Sequence, residues 1–393
     1  MLPLCLAAQQ RQSLDMLVKA ERTLANGDTT QSIAQFQEVL KTYPQSYAAI
    51  SRLAEITYAQ KAYSQSAQYI FLAMDIIETR LDKNESELQN SPTAQRKEML
   101  LDLNSRYKRD LSNLYHLLGL NRIRQQQADE AIVAYQKAIS LNKSSAYYID
   151  LGLLQFNNNQ FEKGVESMHK AIAMDSTNYK PYYNLANAYN AAKLYDSAIY
   201  YYEKTTTKKA KLPYPYLYLA QIYTSQAQTY PAILNLTQFI KLDSNKVEPY
   251  FRRALLYTHQ AEFKSALRDW NKVIALDPAN NEALRNRGLT HFYLEQFEKA
   301  IEDFTVALAS NEEPYTLINR GYSYYLNGQS ELALADLNKG LDVLSKYGLG
   351  YYIRALTLLD LKKKKKACAD LRKALELGFN ENEVDKKLMR KCF

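Results

Sequence analysis

The chain has 393 residues, and a hydrophobic share of 47% excludes wholesale disorder. Its 11 glycines and 10 prolines fall well below the roughly 12% of average usage, which excludes collagen-like, linker-like and turn-dense β architectures. The net charge is +8, the 3 cysteines are too few for a disulfide scaffold, and no apolar run approaches the roughly 18 residues of a membrane span.

Residues 1–12 open with Leu2-Pro3-Leu4-Cys5-Leu6-Ala7-Ala8, an apolar run ending in small residues. It resembles the tail of a secretory signal peptide, without the basic segment that begins one. Cys5 also stands where a lipoprotein cleavage box would place it, behind a leucine that fits such a box poorly. The alternative is a frayed apolar terminus. The leader reading places the protein in the periplasm or at the outer membrane, and its failure would leave a cytoplasmic protein.

From residue 13 a repeat begins. Small residues recur at Ala20, Ala54, Gly119, Gly152, Ala186, Ala220, Ala254, Gly288, Gly321 and Ala355, every 33 or 34 residues apart from one interval of 65. Twelve positions after each stands a second small residue: Ser32, Ser66, Ala131, Gly164, Ala198, Ala232, Ala266, Ala300, Ala333 and Ala367. Each unit reads as two amphipathic helices. In the fifth these are Pro181–Tyr189 and Asp196–Lys204, with apolar residues at i, i+3, i+4 and i+7. The small pair marks the crossing, where only Gly, Ala or Ser lets two helix backbones approach closely. Aromatic residues such as Tyr189, Tyr202, Tyr257, Trp270 and Phe304 fill the space between units. The result is an all-α chain of about ten helix–turn–helix units.

In chain order, residues 13–80 hold units one and two, and 81–111 an insertion. Leu81–Asn90 is polar and acidic and reads as a loop, with one long helix predicted over about 93–125. Residues 112–379 hold units three to ten, and 380–393 a capping helix, because a last unit has no neighbour to cover its apolar face.

The last stretch is basic. Lys346–Phe393 contains 13 basic and 6 acidic residues, so nearly all of the +8 lies there. Its centre is an unbroken run: Lys362, Lys363, Lys364, Lys365 and Lys366. That run falls where the last unit turns between its helices. It reads as a solvated turn or as a docking patch for an anionic polymer or surface. The rest of the chain is nearly neutral, which argues against a long nucleic-acid footprint.

Chemistry is sparse. No phosphate loop, HExxH, CxxC or nucleophile elbow occurs, so no catalytic residue, metal site or cofactor is assigned. His116, His169, His259 and His291 lie on different units and read as core or surface imidazoles. Arg253, Arg287, Arg320 and Arg354 each precede the small residue of a first helix, and Asp269, Asp303, Asp336 and Asp370 lie sixteen residues on. A half-buried guanidinium requires a carboxylate, so these read as structural pairs, within a unit or from one unit's Asp to the next unit's Arg.

The pattern Tyr250…Ala254…Tyr257…Ala266…Trp270…Val273…Pro278, matched more closely still over Asn178–Thr206, resembles the tetratricopeptide repeat family, in its bacterial multi-repeat form. Arginine before the small residue and serine at 32 and 66 depart from the family pattern. The resemblance implies a right-handed α-solenoid whose first helices line a concave groove. It places groove residues at Asn184, Asn187, Tyr218, Gln221, Phe251, Arg252, Arg285, Asn286, Asn319 and Tyr322. In relatives, asparagine at the Asn184 position often bonds an extended peptide's backbone. The basic set that clamps chaperone carboxylates is incomplete, since Glu248 stands where a lysine would help. The resemblance also favours a disulfide between Cys368 and Cys392, the alternative being two reduced thiols packed as small apolar groups. The implied function is a non-enzymatic scaffold for other proteins or peptides, within a larger envelope complex and with no nucleic acid. The alternative function is binding of an anionic polymer or surface through the basic end.

Overall fold

The structure is a computed structural model that describes residues 2–91 and 93–393, with side chains from residue 11 onward. The side chains of the leader-like Leu2–Ala8, Cys5 among them, lie outside the described residues. Two compact bodies divide the chain at Lys209. In the first, α1 (Leu2–Ala25) pairs with α2 (Thr29–Thr42), α3 (Tyr47–Ala59) with α4 (Tyr63–Gln89), and α5 (Ala94–Arg124) with α6 (Ala128–Leu141). α7 (Ser145–Asn157) pairs with α8 (Phe161–Met174), and α9 (Lys180–Ala191) with α10 (Tyr195–Lys208). In the second, α11 (Tyr214–Ser225) pairs with α12 (Thr229–Leu242), α13 (Val247–His259) with α14 (Phe263–Leu276), and α15 (Asn281–Tyr293) with α16 (Phe297–Leu308). α17 (Pro314–Leu326) pairs with α18 (Ser330–Val343), and α19 (Gly348–Asp360) with α20 (Lys364–Glu376). A 3-10 turn at Glu381–Glu383 leads to the last helix, α21 (Lys386–Cys392). Each body is an α-solenoid, hairpin stacked on hairpin, with no strand among the described residues.

Every small residue of the twelve-residue pairs is buried. Sixteen positions after the first member comes a large side chain sealed in the crossing, among them Phe36, Tyr135, Tyr202, Trp270 and Phe304, all at most 1% exposed. Close approach explains two of the glycines. A Cβ on Gly119 would overlap the Tyr135 ring, and one on Gly288 would come within 2.8 Å of Phe304. The serines at 32 and 66 use the same proximity differently. Ser32 Oγ donates to the Ala20 carbonyl at 2.9 Å and Ser66 Oγ to the Ala54 carbonyl at 2.7 Å, so each hydroxyl bonds its own partner residue across the pair. A buried hydroxyl is thereby satisfied where alanine would need nothing.

Each hairpin turns through one residue with positive φ, seven positions after the first small residue. Only Gly27 and Gly328 are glycines there; the other eight positions carry side chains, from Lys61 to Lys362. The following residue donates its N–H back to the helix just ended, as Ala62 does to Thr57 at 2.9 Å. This left-handed C-cap satisfies carbonyls that the helix end would otherwise leave open.

The insertion differs from its sequence reading. Leu81–Gln89 is not a loop but the continuation of α4, which runs beside the equally long α5. The reason is a buried stripe of leucines and asparagines hidden among charges. Leu81 and Asn84 are buried and Leu88 half-buried on one face, with Leu100, Asn104 and Leu111 buried on α5. The acidic residues occupy the outer face, where Glu87 meets Arg96 at 2.7 Å. The result is a helical hairpin longer than any ordinary unit.

At the other end, Leu388 of α21 is fully buried with Ala355, Leu358 and Leu371, covering the open face of the last unit. Burying one leucine contributes about 2 kcal/mol. Cys368 and Cys392 are joined in a disulfide with Cα atoms 5.1 Å apart.

Candidate functional site

In the first body, α7 and α9 stand side by side as first helices of consecutive units. Between them opens a cleft of about 340 Å³ lined by Leu153, Phe156, Asn157, Phe161, Asn184, Asn187, Ala188, Ala191 and Ala192. Asn187 Oδ1 accepts a hydrogen bond from the Tyr202 hydroxyl at 2.7 Å, which fixes the amide against the buried ring. Asn184 is half-buried and its side chain has no hydrogen-bond partner among the described residues. The wall is aromatic and rigid. Phe156 packs on Phe161 at 5.8 Å, Phe161 on Tyr189 at 5.5 Å, and Tyr189 stacks on Tyr201 at 5.5 Å. The small side chains of Ala188, Ala191 and Ala192 leave the space that the cleft occupies.

The second body disposes its candidate residues otherwise. Gln221 Nε2 donates to Glu248 Oε1 at 3.4 Å, and Arg252 Nε donates to the same oxygen at 2.8 Å. Glu248 therefore links α11 to its own helix α13 and neutralises Arg252. Asn286 donates back to the Glu282 carbonyl at 2.9 Å. Phe251 and Tyr322 pack into the hydrophobic clusters of their units, Phe251 edge-on to Trp270 at 5.1 Å and Tyr322 on Phe292 at 5.1 Å. Burial pushes the Tyr322 hydroxyl's pKa up. Tyr218 is half-buried on α11, between Leu217 and Leu219 in sequence. Arg285 and Asn319 stay half-buried on the first-helix face, their side chains without a hydrogen-bond or ion-pair partner among the described residues. Of the ten candidates, Asn184 and Asn187 share one of the described clefts.

The basic run is placed partly outside the turn that its sequence position suggests. Only Lys362 and Lys363 occupy the bend after α19, Lys363 as the residue that caps α20. Lys364, Lys365 and Lys366 are already helical, because the left-handed Lys362 completes the reversal within one residue. All five side chains are exposed.

The Arg/Asp ladder pairs within units. Arg253, Arg287, Arg320 and Arg354 each hold Asp269, Asp303, Asp336 and Asp370 with two hydrogen bonds of 2.6–3.0 Å. The remaining guanidinium nitrogen reaches the second helix of the preceding unit, at Thr237, Asn271, Thr305 and Asn338. Burial opposes the charge on Arg253, yet its bonds to Asp269 hold the pKa above the usual arginine value. Each arginine thus ties three helices, and none is free for a ligand.

The largest cleft described, about 590 Å³, was not singled out by sequence. It lies between the last turns of α4, the first half of α5 and the end of α6, lined by Glu85, Leu88, Gln89, Leu101, Asn104, Ser105, Lys108, Arg109, Leu141 and Asn142. Reading Leu81–Asn90 as a loop hid it, because only a continued α4 brings Glu85 and Leu88 opposite α5. Among the described residues no cluster of three or more His, Cys, Asp or Glu could hold a metal. No helix of the described residues is long and apolar enough to cross a membrane.

Sequence profiles described as "Tetratricopeptide repeat" match residues 17–76, 149–213 and 251–314 with one profile, and 112–145 and 350–378 with a second. The chain belongs to the tetratricopeptide repeat family. The stack of paired helices with a small-residue crossing is that family's unit, and proteins so built serve as interaction scaffolds for other proteins. Solved tetratricopeptide repeat structures resemble the chain. The C-terminal part of a repeat-containing protein from Cytophaga hutchinsonii is 20% identical, over 69% of this chain and 98% of its own, with a TM-score of 0.53. YrrB, described as a TPR protein with an unusual peptide-binding site, is 26% identical over 47% of this chain and 95% of its own, with a TM-score of 0.41. The Cut9–Hcn1 assembly of the APC/C is 13% identical over 97% of this chain and 90% of that one, with a TM-score of 0.40. Comparison with curated protein sequences gives no match.

Proposed function

We propose that this tetratricopeptide repeat protein is a non-enzymatic scaffold that captures extended protein segments, with the α7–α9 cleft as an anchoring point. The observation that carries the reading is the cleft itself: an apolar pocket of about 340 Å³ with the unpartnered amide of Asn184 at its lining. An extended peptide exposes a backbone N–H and C=O at every residue. One amide side chain can take both, while an apolar side chain of the peptide fills the space beside Phe156 and Phe161. Anchoring of this kind needs no catalytic group. The cystine at Cys368–Cys392 supports an oxidising compartment such as the bacterial envelope, where disulfides persist. Membership of a larger complex follows from the same scaffold role.

The test is peptide-library selection against the full chain, then affinity measurement on the selected peptides with Asn184→Ala and Leu153→Arg variants. Loss of a bidentate amide contact should weaken binding about ten-fold or more. Leu153 is partly exposed, so the arginine should block the cleft while leaving the fold intact. Selected peptides that bind both variants as tightly as the parent would place the binding elsewhere.

A further inference from the structure

We propose that the lysine-rich end of the second body docks on membrane surfaces that carry anionic phospholipids. Lys362, the left-handed residue of the turn, and Lys363, the cap, lead into Lys364, Lys365 and Lys366, which form the first turn of α20. A helix start carries a partial positive charge, so cations there are unfavourable and acids are favoured. The repeat provides an internal control. Five of the other nine second helices carry an acid in the first turn: Asp129 and Glu130 in α6, Glu162 in α8, Asp196 in α10, Glu298 in α16 and Glu331 in α18; α2, α4, α12 and α14 carry none. Only α20 places three lysines there. Nothing inside the molecule compensates: among the described residues, none of the five lysine side chains has an ion pair or hydrogen bond. The acids that flank the run in sequence are otherwise engaged. Asp370 is held by Arg354, and Asp360 accepts from Ser330 Oγ at 2.5 Å.

The cap extends the patch. Cys368 Sγ lies 3.8 Å from the Lys391 carbonyl, and the disulfide fixes Cys392 to the same turn of α20. Arg390 and Lys391 are thereby held at the lysine end. Glu376, Glu381, Glu383 and Asp385 fall at the opposite end of the two helices, together with Lys373, Lys386 and Lys387, so the acids of the cap are kept away from the lysine end. The patch gathers seven cations at one end of the body, a cluster of the size that attracts an anionic leaflet. Lysine is a compact, strongly hydrated charge on a flexible stem, matched to mobile phosphate headgroups rather than to one fixed carboxylate. Each such charge near an anionic leaflet is worth about a five-fold gain in partitioning. The patch lies in a different body from the α7–α9 cleft, so this inference stands independently of peptide capture.

The experiment is vesicle flotation of the full chain with mixed phosphatidylcholine–phosphatidylglycerol vesicles and with pure phosphatidylcholine vesicles, at low and high salt. Binding is expected only to the mixed vesicles, and to fall with salt. Changing Lys362–Lys366 to serine should weaken it more than a hundred-fold, and Arg390→Gln with Lys391→Gln about ten-fold or more. A control removing as many exposed charges at Lys61, Lys163, Lys193, Lys264 and Lys299 should keep most of the binding, which separates a patch from net charge. Circular dichroism melting of every variant tests folding, and the two neutralised sets are independent of one another. Equal binding to both vesicle types, or unchanged binding of the serine variant, overturns the proposal. So does a parent chain that ignores vesicles but holds soluble polyphosphate through the same lysines, since that assigns the patch to a soluble polymer.

Discussion

Arg287→Leu probes the ladder that ties the second body together. Arg287 gives Asp303 two hydrogen bonds, at 2.8 and 2.6 Å, and gives Asn271 of the preceding unit a third, at 3.0 Å. The Asp303 side chain is 8% exposed and that of Arg287 22%. Removing one partner of a fully buried pair costs about 3–5 kcal/mol, because the other charge is left stranded. Partial exposure of the guanidinium lowers that, and loss of the Asn271 bond adds about 1 kcal/mol, giving about 3 kcal/mol for Arg287→Leu. The carboxylate then faces only His291, whose Nε2 lies 3.9 Å from Asp303 Oδ2. Replacing both residues, Arg287→Leu with Asp303→Leu, should recover more than half of the loss, since no charge remains buried. Urea unfolding of parent, single and double variants measures each quantity. A single variant as stable as the parent, or a double variant worse than the single, would refute the account of the ladder.

The cap gives a second prediction. The disulfide spans a sequence separation of 24, and chain entropy for such a loop is about 3.5 kcal/mol. Cys392→Ser should therefore free α21, read as faster amide exchange over residues 386–392 and new exposure of Leu371, with little change in α11–α16; unchanged exchange would show that packing of Leu388 alone holds the cap. The third concerns pH. Burial holds the His291 pKa below the usual imidazole value, against the raising effects of Gln296, 2.9 Å from Nδ1, and of Asp303. As pH falls through about 6.5 the unfolded chain takes up this proton first, so stability is lost from there downward until the folded histidine also protonates. His291→Gln should flatten the decline in urea midpoint between about pH 7.5 and about pH 5.5, and an unchanged slope would place the proton uptake elsewhere.

The fold was legible because its determinants repeat. A small residue, another twelve positions on and a large one sixteen positions on encode a crossing between helices, and the code survives exchange of its members. Gly119 accepts the Tyr135 ring, while serine at 32 or 66 replaces alanine by bonding the carbonyl it faces. The left-handed turn residue was not legible, because only Gly27 and Gly328 advertise it and the other positions carry residues such as Ala227 and Glu295. For the same reason the lysine run reads as a turn throughout, although α20 begins at its third member. The long hairpin escaped for a related reason. Charges outnumber apolar residues over 82–90, and a stripe as thin as Leu81, Asn84 and Leu88 is visible only when its partner helix is known.

The groove shows where periodic reasoning stops. Asn184, Tyr218, Arg252 and Asn286 lie at comparable places on first helices, yet their fates differ because each depends on a neighbour the period does not specify. Glu248 captures Arg252 at 2.8 Å, while Phe251 beside it is drawn against Trp270. Asn187 is fixed by a tyrosine from the second helix of its own unit, and the cleft beside it exists only because Ala188, Ala191 and Ala192 are small. The ladder makes the same point in the other direction. Pairing of Arg with Asp follows from the spacing of sixteen, but the third bond, to Asn271 or Thr237 in the unit before, depends on how the hairpins stack. That third bond makes the arginine a coupling residue. It lets a charge pair inside one unit stiffen the junction with the unit before, so the hairpins of the second body are held by bonds between units as well as within them.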